Sequence, residues 1–120
     1  MNGTEKQAEW ATRIRDQARK DLASWGSLYQ VGRSLKDRHS ANWQDLEAHI
    51  LHRLGSPAKA LAWLQATIDR GVEEALGVES AAQWIEAEKS GNLIKTLHGA
   101  VVLHVLEEAR RFDDRPMEAP

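Results

Sequence analysis

The stretch NLIKTLHGAVVLHVLEEARRF, residues 92–112, shows the pattern that decides the fold of this chain. Its apolar side chains recur at steps of three and four residues, which places them on one face of an α-helix. The members of this face are Leu93, Ile94, Leu97, Val101, Val105 and Leu106. A face this broad predicts a helix that packs deep in the core.

Helix start and end signals divide the rest of the chain into segments with a similar pattern. Residues that cap a helix N-terminus precede four segments, namely Thr4, Asn42, Ser56 and either Ser80 or Glu79. Glycines that end a helix follow segments at Gly26, Gly55, Gly71 and Gly91. No segment shows the alternation of a β-strand. The sequence therefore predicts an all-α fold, a single compact bundle of five or six helices with non-parallel packing over residues 1–112, and a flexible tail at 113–120.

Composition excludes several classes of chemistry. The 120 residues contain no cysteine, which rules out disulfides, thiolate metal sites and a cysteine nucleophile. No apolar run approaches the roughly 18 residues that span a bilayer, and the N-terminus is polar rather than signal-like. Phosphate loops, serine nucleophile elbows and dinucleotide fingerprints are also lacking. We therefore expect a cytoplasmic protein without a cofactor and without enzymatic activity.

Charge is distributed unevenly between the two halves of the chain. Residues 1–60 hold ten Lys and Arg against seven Asp and Glu, a balance of +3, and residues 61–120 hold six against eleven, a balance of −5. Such asymmetry marks a basic contact face in some proteins and arises by chance in others. The candidate contact residues in the basic half are Arg15, Arg19, Arg33, Lys36 and Arg38.

Five tryptophans are many for a chain of this length. Each lies at or beside the apolar stripe of a predicted helix, which favours a place in the core or at its edge. Trp63 flanks a stripe that Leu61, Leu64 and Ile68 already define. It is therefore the tryptophan that we expect to be partly exposed and to contact a partner.

Two separated segments resemble an uncharacterised helical module of phage- and plasmid-encoded proteins. The first is GTEKQAEWATRIRDQA at 3–18, and the second is SAAQWIEA at 80–87, where Gln83 replaces a tryptophan of the pattern. The matching residues are Lys6, Gln7, Trp10, Ala11, Ile14, Arg15, Trp84 and Ile85. The resemblance implies a mobile-element setting but no particular activity. Two helices that simply pack together would also explain the matching residues.

A third segment, LGSPAKALAWL at 54–64, resembles the start of the toxin-binding domain of a class of helical antitoxins. In that class a Thr-Pro-Asn turn and a Gly-Gly-Arg loop follow, whereas this chain continues with QATIDRG at 65–71. The resemblance implies a toxin-binding protein as an alternative.

Two short patterns suggest chemistry that we do not expect. RSLKDRH at 33–39 resembles the Arg-x(4–6)-His motif of small helical ribonucleases, through Arg33 and His39, but such a short motif is frequent by chance. Asp45, His49 and His52 share one helix face, yet a helical metal site usually takes ligands from two helices. We predict no metal site here.

The sequence leaves two classes of function open. The first is a small accessory protein of a phage or plasmid that acts by protein–protein binding, as an inhibitor or small complex subunit. The second is a helical subunit that contacts nucleic acid through the basic N-terminal half. Salt separates the two, because phosphate contacts weaken steeply with ionic strength.

Overall fold

A computed structural model describes residues 2–25, 27–38 and 40–114, which form six α-helices. In chain order these are α1 (Glu5–Trp25), α2 (Leu28–Arg38), α3 (Ser40–Leu54), α4 (Pro57–Leu76), α5 (Ala81–Lys89) and α6 (Leu93–Asp114). The prediction of an all-α helical bundle is confirmed. None of the described helices combines the length and the apolarity needed to cross a bilayer. Of the predicted tail at 113–120, residues 115–120 lie outside the described residues.

The predicted capping residues explain where three of the helices begin. Thr4 and Gln7 form a reciprocal capping box at the start of α1. The Gln7 amide donates to Thr4 Oγ1 over 3.2 Å, and the Thr4 amide donates to Gln7 Oε1 over 3.1 Å. Ser56 before α4 and Ser80 before α5 each accept a bond from the backbone amide three residues on, over 3.3 and 3.4 Å. These caps satisfy amides that the first turn of a helix leaves without a backbone partner.

The structure confirms two predicted helix ends and corrects a third. Gly55 after α3 and Gly91 after α5 have φ angles of +86° and +74°, a conformation that favours glycine. Gly26 lies outside the described residues. Gly71 is not a helix end, because α4 continues through it to Leu76.

Tertiary packing explains why Gly71 lies inside a helix. This glycine is buried, and a Cβ built on it would stand 3.0 Å from Cδ2 of His104 on α6. The glycine therefore lets α4 and α6 approach each other closely. The predicted cap at Asn42 is also wrong, because α3 begins two residues earlier at Ser40.

The core consists of two apolar clusters, and α4 and α6 take part in both. The first cluster joins α2 and α3 to α4 and α6, through buried residues that include Val31, Leu35, Trp43, Leu46, Ile50, Ile68, Val101 and Val105. The second joins α1 and α5 to them, through residues that include Ala11, Ile14, Leu22, Leu76, Trp84, Ile85 and Leu97. The bundle is elongated, with extents of 58 × 26 × 21 Å. Its radius of gyration of 16.7 Å exceeds the value of about 14 Å typical of a domain of this length.

The two segments that resemble the mobile-element module lie against each other. Just before the two segments, the Asn2 amide donates to the Glu79 carbonyl over 2.8 Å, and the Ala81 amide of the second segment donates to the Asn2 carbonyl over 3.0 Å. Four of the matching residues belong to the second core cluster, namely Ala11, Ile14, Trp84 and Ile85. These four residues therefore serve packing between α1 and α5.

Candidate functional site

The grooves on the surface that the described residues form include one between α2 and α6, one between α1 and α4, and one between α3 and α4. The α2–α6 groove lies between residues 30–38 and residues 91–103 and has a volume of about 1190 Å³. The α1–α4 groove, between residues 19–28 and 65–73, has a volume of about 480 Å³. The α3–α4 groove, between residues 43–51 and 57–64, has a volume of about 200 Å³. The six contact residues predicted from the sequence are spread over these grooves and the adjoining surface.

The α3–α4 groove is almost entirely apolar. Its apolar walls consist of Trp43, Ile50, Leu51, Pro57, Ala60, Leu61, Trp63 and Leu64. Glu47 is the one ionisable side chain among the described residues that line it. On its walls Leu51 is 40% exposed and Leu61 is 53% exposed. Large apolar side chains that meet in this way at a concave surface are typical of a site where another molecule binds.

Local structure fixes the two tryptophans of this groove. Residues 55–56 connect α3 to α4, so the two helices form a hairpin that brings Trp43 and Trp63 to the same groove. Trp43 is buried, with 4% of its surface exposed, and belongs to the first core cluster. Trp63 is half-buried, and Thr67 Oγ1 donates to its carbonyl over 2.7 Å. Because Thr67 is itself fully buried, this turn of α4 is held in the core.

The exposure of the described tryptophan side chains follows the prediction from the sequence except at Trp10. Trp43 and Trp84 are buried, and Trp63 is half-buried, as expected for a residue that flanks an apolar stripe. Trp10 is 49% exposed and is therefore more exposed than Trp63, which the sequence had singled out. The side chain of Trp25 lies outside the described part of the chain.

The α2–α6 groove contains a polar pair that sequence reasoning missed. Ser34 Oγ of α2 lies 2.8 Å from His98 Nε2 of α6, and both residues line the groove. No local signal predicts this pair, because the two residues are 64 positions apart. Six of the other described lining residues are charged, with both signs present: Asp21, Arg33, Asp37, Arg38, Glu88 and Lys95.

The basic residues predicted as a contact set do not share one groove. Arg33 and Arg38 line the α2–α6 groove, whereas Arg19 lines the α1–α4 groove. Arg15 is half-buried and Lys36 is exposed. The set therefore extends over separate parts of α1 and α2.

Two of these arginines are also paired with carboxylates. Arg19 Nη1 bonds Glu73 Oε1 of α4, and Arg33 Nε lies 3.4 Å from Asp37 Oδ2 of the same helix. Since both pairs are exposed, each contributes little to stability. Each pair does lower the positive potential that a phosphate would meet at these positions.

Two further patterns from the sequence are the set of potential metal ligands and the Arg-x(4–6)-His motif. Nowhere in the described part do three potential ligands come together to hold a metal ion, so Asp45, His49 and His52 form no such site. The pairing of Arg33 with His39 cannot be described, because His39 lies outside the described residues.

Comparison with known proteins leaves the site to be interpreted from its own geometry. No family model, no curated protein and no solved structure matches this chain.

Proposed function

We propose that this chain is a small helical accessory protein that acts by binding another protein through its α3–α4 groove. The observation that carries the proposal is the pair of exposed leucines, Leu51 and Leu61, in a groove that Trp43 and Trp63 also line. Burying these side chains against a partner removes apolar surface from water, which is the main favourable term in protein association. Aromatic residues at the centre of such a patch supply much of the binding free energy at interfaces.

The groove fits an amphipathic helix of the partner. A helix that docks in a groove uses apolar side chains at steps of three and four residues, and two flanking helices of the receptor form the walls. Here α3 and α4 form those walls, and their lining residues are apolar except for Glu47. The matching segment therefore presents an apolar face with one Lys or Arg placed to meet the Glu47 carboxylate. A basic residue at this point would add specificity more than affinity.

The resemblances in the sequence agree with this proposal. The segment at 54–64 that resembles the toxin-binding domain of antitoxins supplies Pro57, Ala60, Leu61, Trp63 and Leu64 to the groove. A toxin is accordingly one class of partner to test. The mobile-element setting rests on the segments at 3–18 and 80–87, and it favours an inhibitor or a small complex subunit of a phage or plasmid.

Contact with nucleic acid is the less favoured alternative. A strand would need cations along one continuous surface, because phosphate neutralisation supplies most of its affinity. Arg19 and Arg33 are instead paired with Glu73 and Asp37, and acidic side chains line the same grooves as the arginines.

A capture experiment from host lysate with and without nuclease tests the proposal. The purified chain is compared with Leu61→Glu, which places a charge in the α3–α4 groove. Leu103→Glu is the matched control, because Leu103 is also an exposed helical leucine, at 57%, but lines the α2–α6 groove. Both substitutions replace an exposed leucine, so circular dichroism should show folded protein in each case.

The proposal predicts a protein partner that survives nuclease and 0.5 M salt, is lost with Leu61→Glu and is retained with Leu103→Glu. Loss of the partner with Leu103→Glu alone would place binding in the α2–α6 groove instead. The nucleic-acid alternative would be established if the captured partner is lost after nuclease treatment. It should then also be lost from a variant in which Ser replaces Arg15, Arg19, Arg33 and Arg38.

A further inference from the structure

The hydrogen bond between Ser34 and His98 has the geometry of a nucleophile and its general base. Ser34 Oγ lies 2.8 Å from His98 Nε2, within the range in which an imidazole takes the proton of an attacking hydroxyl. The two side chains come from different helices and are half-buried. Each is held on a helix of the core rather than on a loop, which limits the movement of the pair.

The surroundings of this pair give a reactant access to it. Ser34 and His98 border an open groove of about 1190 Å³ rather than a closed core. Gly99 follows His98 on the α6 side of the groove, and a Cβ built there would have no neighbour within 4 Å. This position therefore leaves open space on the α6 wall of the groove, where an acyl group can enter.

The α6 wall of the groove also indicates which kind of acyl group fits. Ile94, His98 and Val102 recur at four-residue steps on the groove side of α6, so the imidazole lies between two apolar side chains. Leu103 extends the apolar wall. Lys95 lies one turn before His98 and places a positive charge on the same wall of the groove. A positive charge there stabilises the negative charge that develops on the carbonyl oxygen during attack.

We propose that Ser34, with His98 as its general base, is a nucleophile that accepts an acyl group from an activated carboxylic ester with an apolar acyl chain. Ser34 Oγ attacks the carbonyl carbon while its proton passes to His98 Nε2. The bond from carbon to the leaving oxygen then breaks, and the leaving group departs with the bonding electron pair and takes up a proton. The products are an ester at Ser34 and a free alcohol or phenol, so no oxidant or further reactant is needed. This reactivity is separate from partner binding in the α3–α4 groove.

p-Nitrophenyl butyrate is a direct probe of this reaction in the full chain. Release of p-nitrophenol gives the rate, and mass spectrometry of peptides locates the butyryl group. Ser24, an exposed serine of α1, is the reference within the same molecule. We expect acylation of Ser34 to be about 100-fold faster than that of Ser24, the lower end of what a general base contributes.

Three variants separate general-base catalysis by His98 from simple exposure of the Ser34 hydroxyl. His98→Ala should lose most of the excess rate at Ser34, and added imidazole should restore part of it, which a merely structural histidine would not do. Ser34→Ala should remove the butyryl group at this site, whereas Ser24→Ala should leave the rate unchanged. Equal acylation of Ser34 and Ser24 in the unaltered chain would overturn the proposal, and that comparison does not depend on whether either variant folds. A rate at Ser34 that is unchanged in folded His98→Ala would overturn it as well.

Discussion

Gly71 of α4 faces the imidazole of His104 on α6, and a Cβ at this glycine would stand 3.0 Å from His104 Cδ2. On its other side the imidazole is anchored to α4 as well, because His104 Nδ1 lies 3.0 Å from Glu74 Oε2. The contact therefore sets how closely α4 and α6 approach each other.

Replacement by alanine should change the stability of the fold differently at Gly71, which contacts His104, and at Gly99, which has no such contact. Gly99→Ala should raise the free energy of unfolding by about 1 kcal/mol, because alanine favours a helix over glycine and the new Cβ meets open space. Gly71→Ala gains the same helix propensity but crowds His104, and overpacking typically costs about 1–3 kcal/mol. Urea denaturation should therefore place Gly71→Ala below Gly99→Ala in stability. In a His104→Ala background the difference should shrink, and an unchanged difference would show that His104 is not its cause.

Trp84 and Trp10, both part of the module-like segments, should differ sharply in their effect on stability. Trp84 is buried and its Nε1 donates to the Val78 carbonyl over 2.8 Å, so Trp84→Ala should lower the free energy of unfolding by about 3–5 kcal/mol. Trp10→Ala, at a half-exposed position, should cost about 1 kcal/mol. Chemical denaturation measures both values. Similar losses at the two positions would contradict a packing role that is specific to Trp84.

The cap of α4 supports the α3–α4 groove and should be measurable on its own. Ser56→Ala removes the acceptor for the Lys59 amide and should cost about 1 kcal/mol of stability. Ser56→Asp keeps an acceptor at the same place and should retain most of that stability. Equal losses in the two variants would show that the side-chain acceptor is not what stabilises the start of α4.

The two exposed arginine pairs should matter little to the fold. Arg19→Ser and Arg33→Ser should each change the free energy of unfolding by less than about 1 kcal/mol, because both ion pairs are exposed to solvent. Neither substitution should weaken capture of a protein partner through the α3–α4 groove. A loss of capture with folded Arg33→Ser would move the binding surface to the α2–α6 groove.

Local signals predicted the helices of this chain well. The capping box of Thr4 and Gln7, the caps at Ser56 and Ser80, and the glycines at 55 and 91 all depend on neighbours within a few residues. Gly71 was misleading because the same residue type also permits close helix packing, and its partner His104 is 33 positions away in the sequence. Tertiary contact, rather than helix propensity, decides that position.

The candidate sites were less predictable than the fold. Trp63 was recognised from its position beside an apolar stripe, but its groove also needs Trp43 and Leu51 from the preceding helix. The Ser34–His98 pair requires the packing of α2 against α6, which no periodicity within either helix encodes. The arginines of the predicted basic set line separate grooves, and a partner in space, such as Glu73 beside Arg19, cannot be read from the sequence.

Site-specific photo-crosslinking would locate the surface of this chain that a bound partner contacts. A photo-reactive amino acid is placed at position 61 in the α3–α4 groove, and at position 103 in a parallel sample, before each protein is irradiated with the captured partner. Binding through the α3–α4 groove predicts a covalent adduct with that partner from position 61 and none from position 103. An adduct from position 103 alone, or a bound partner that neither position crosslinks, would contradict binding in the α3–α4 groove.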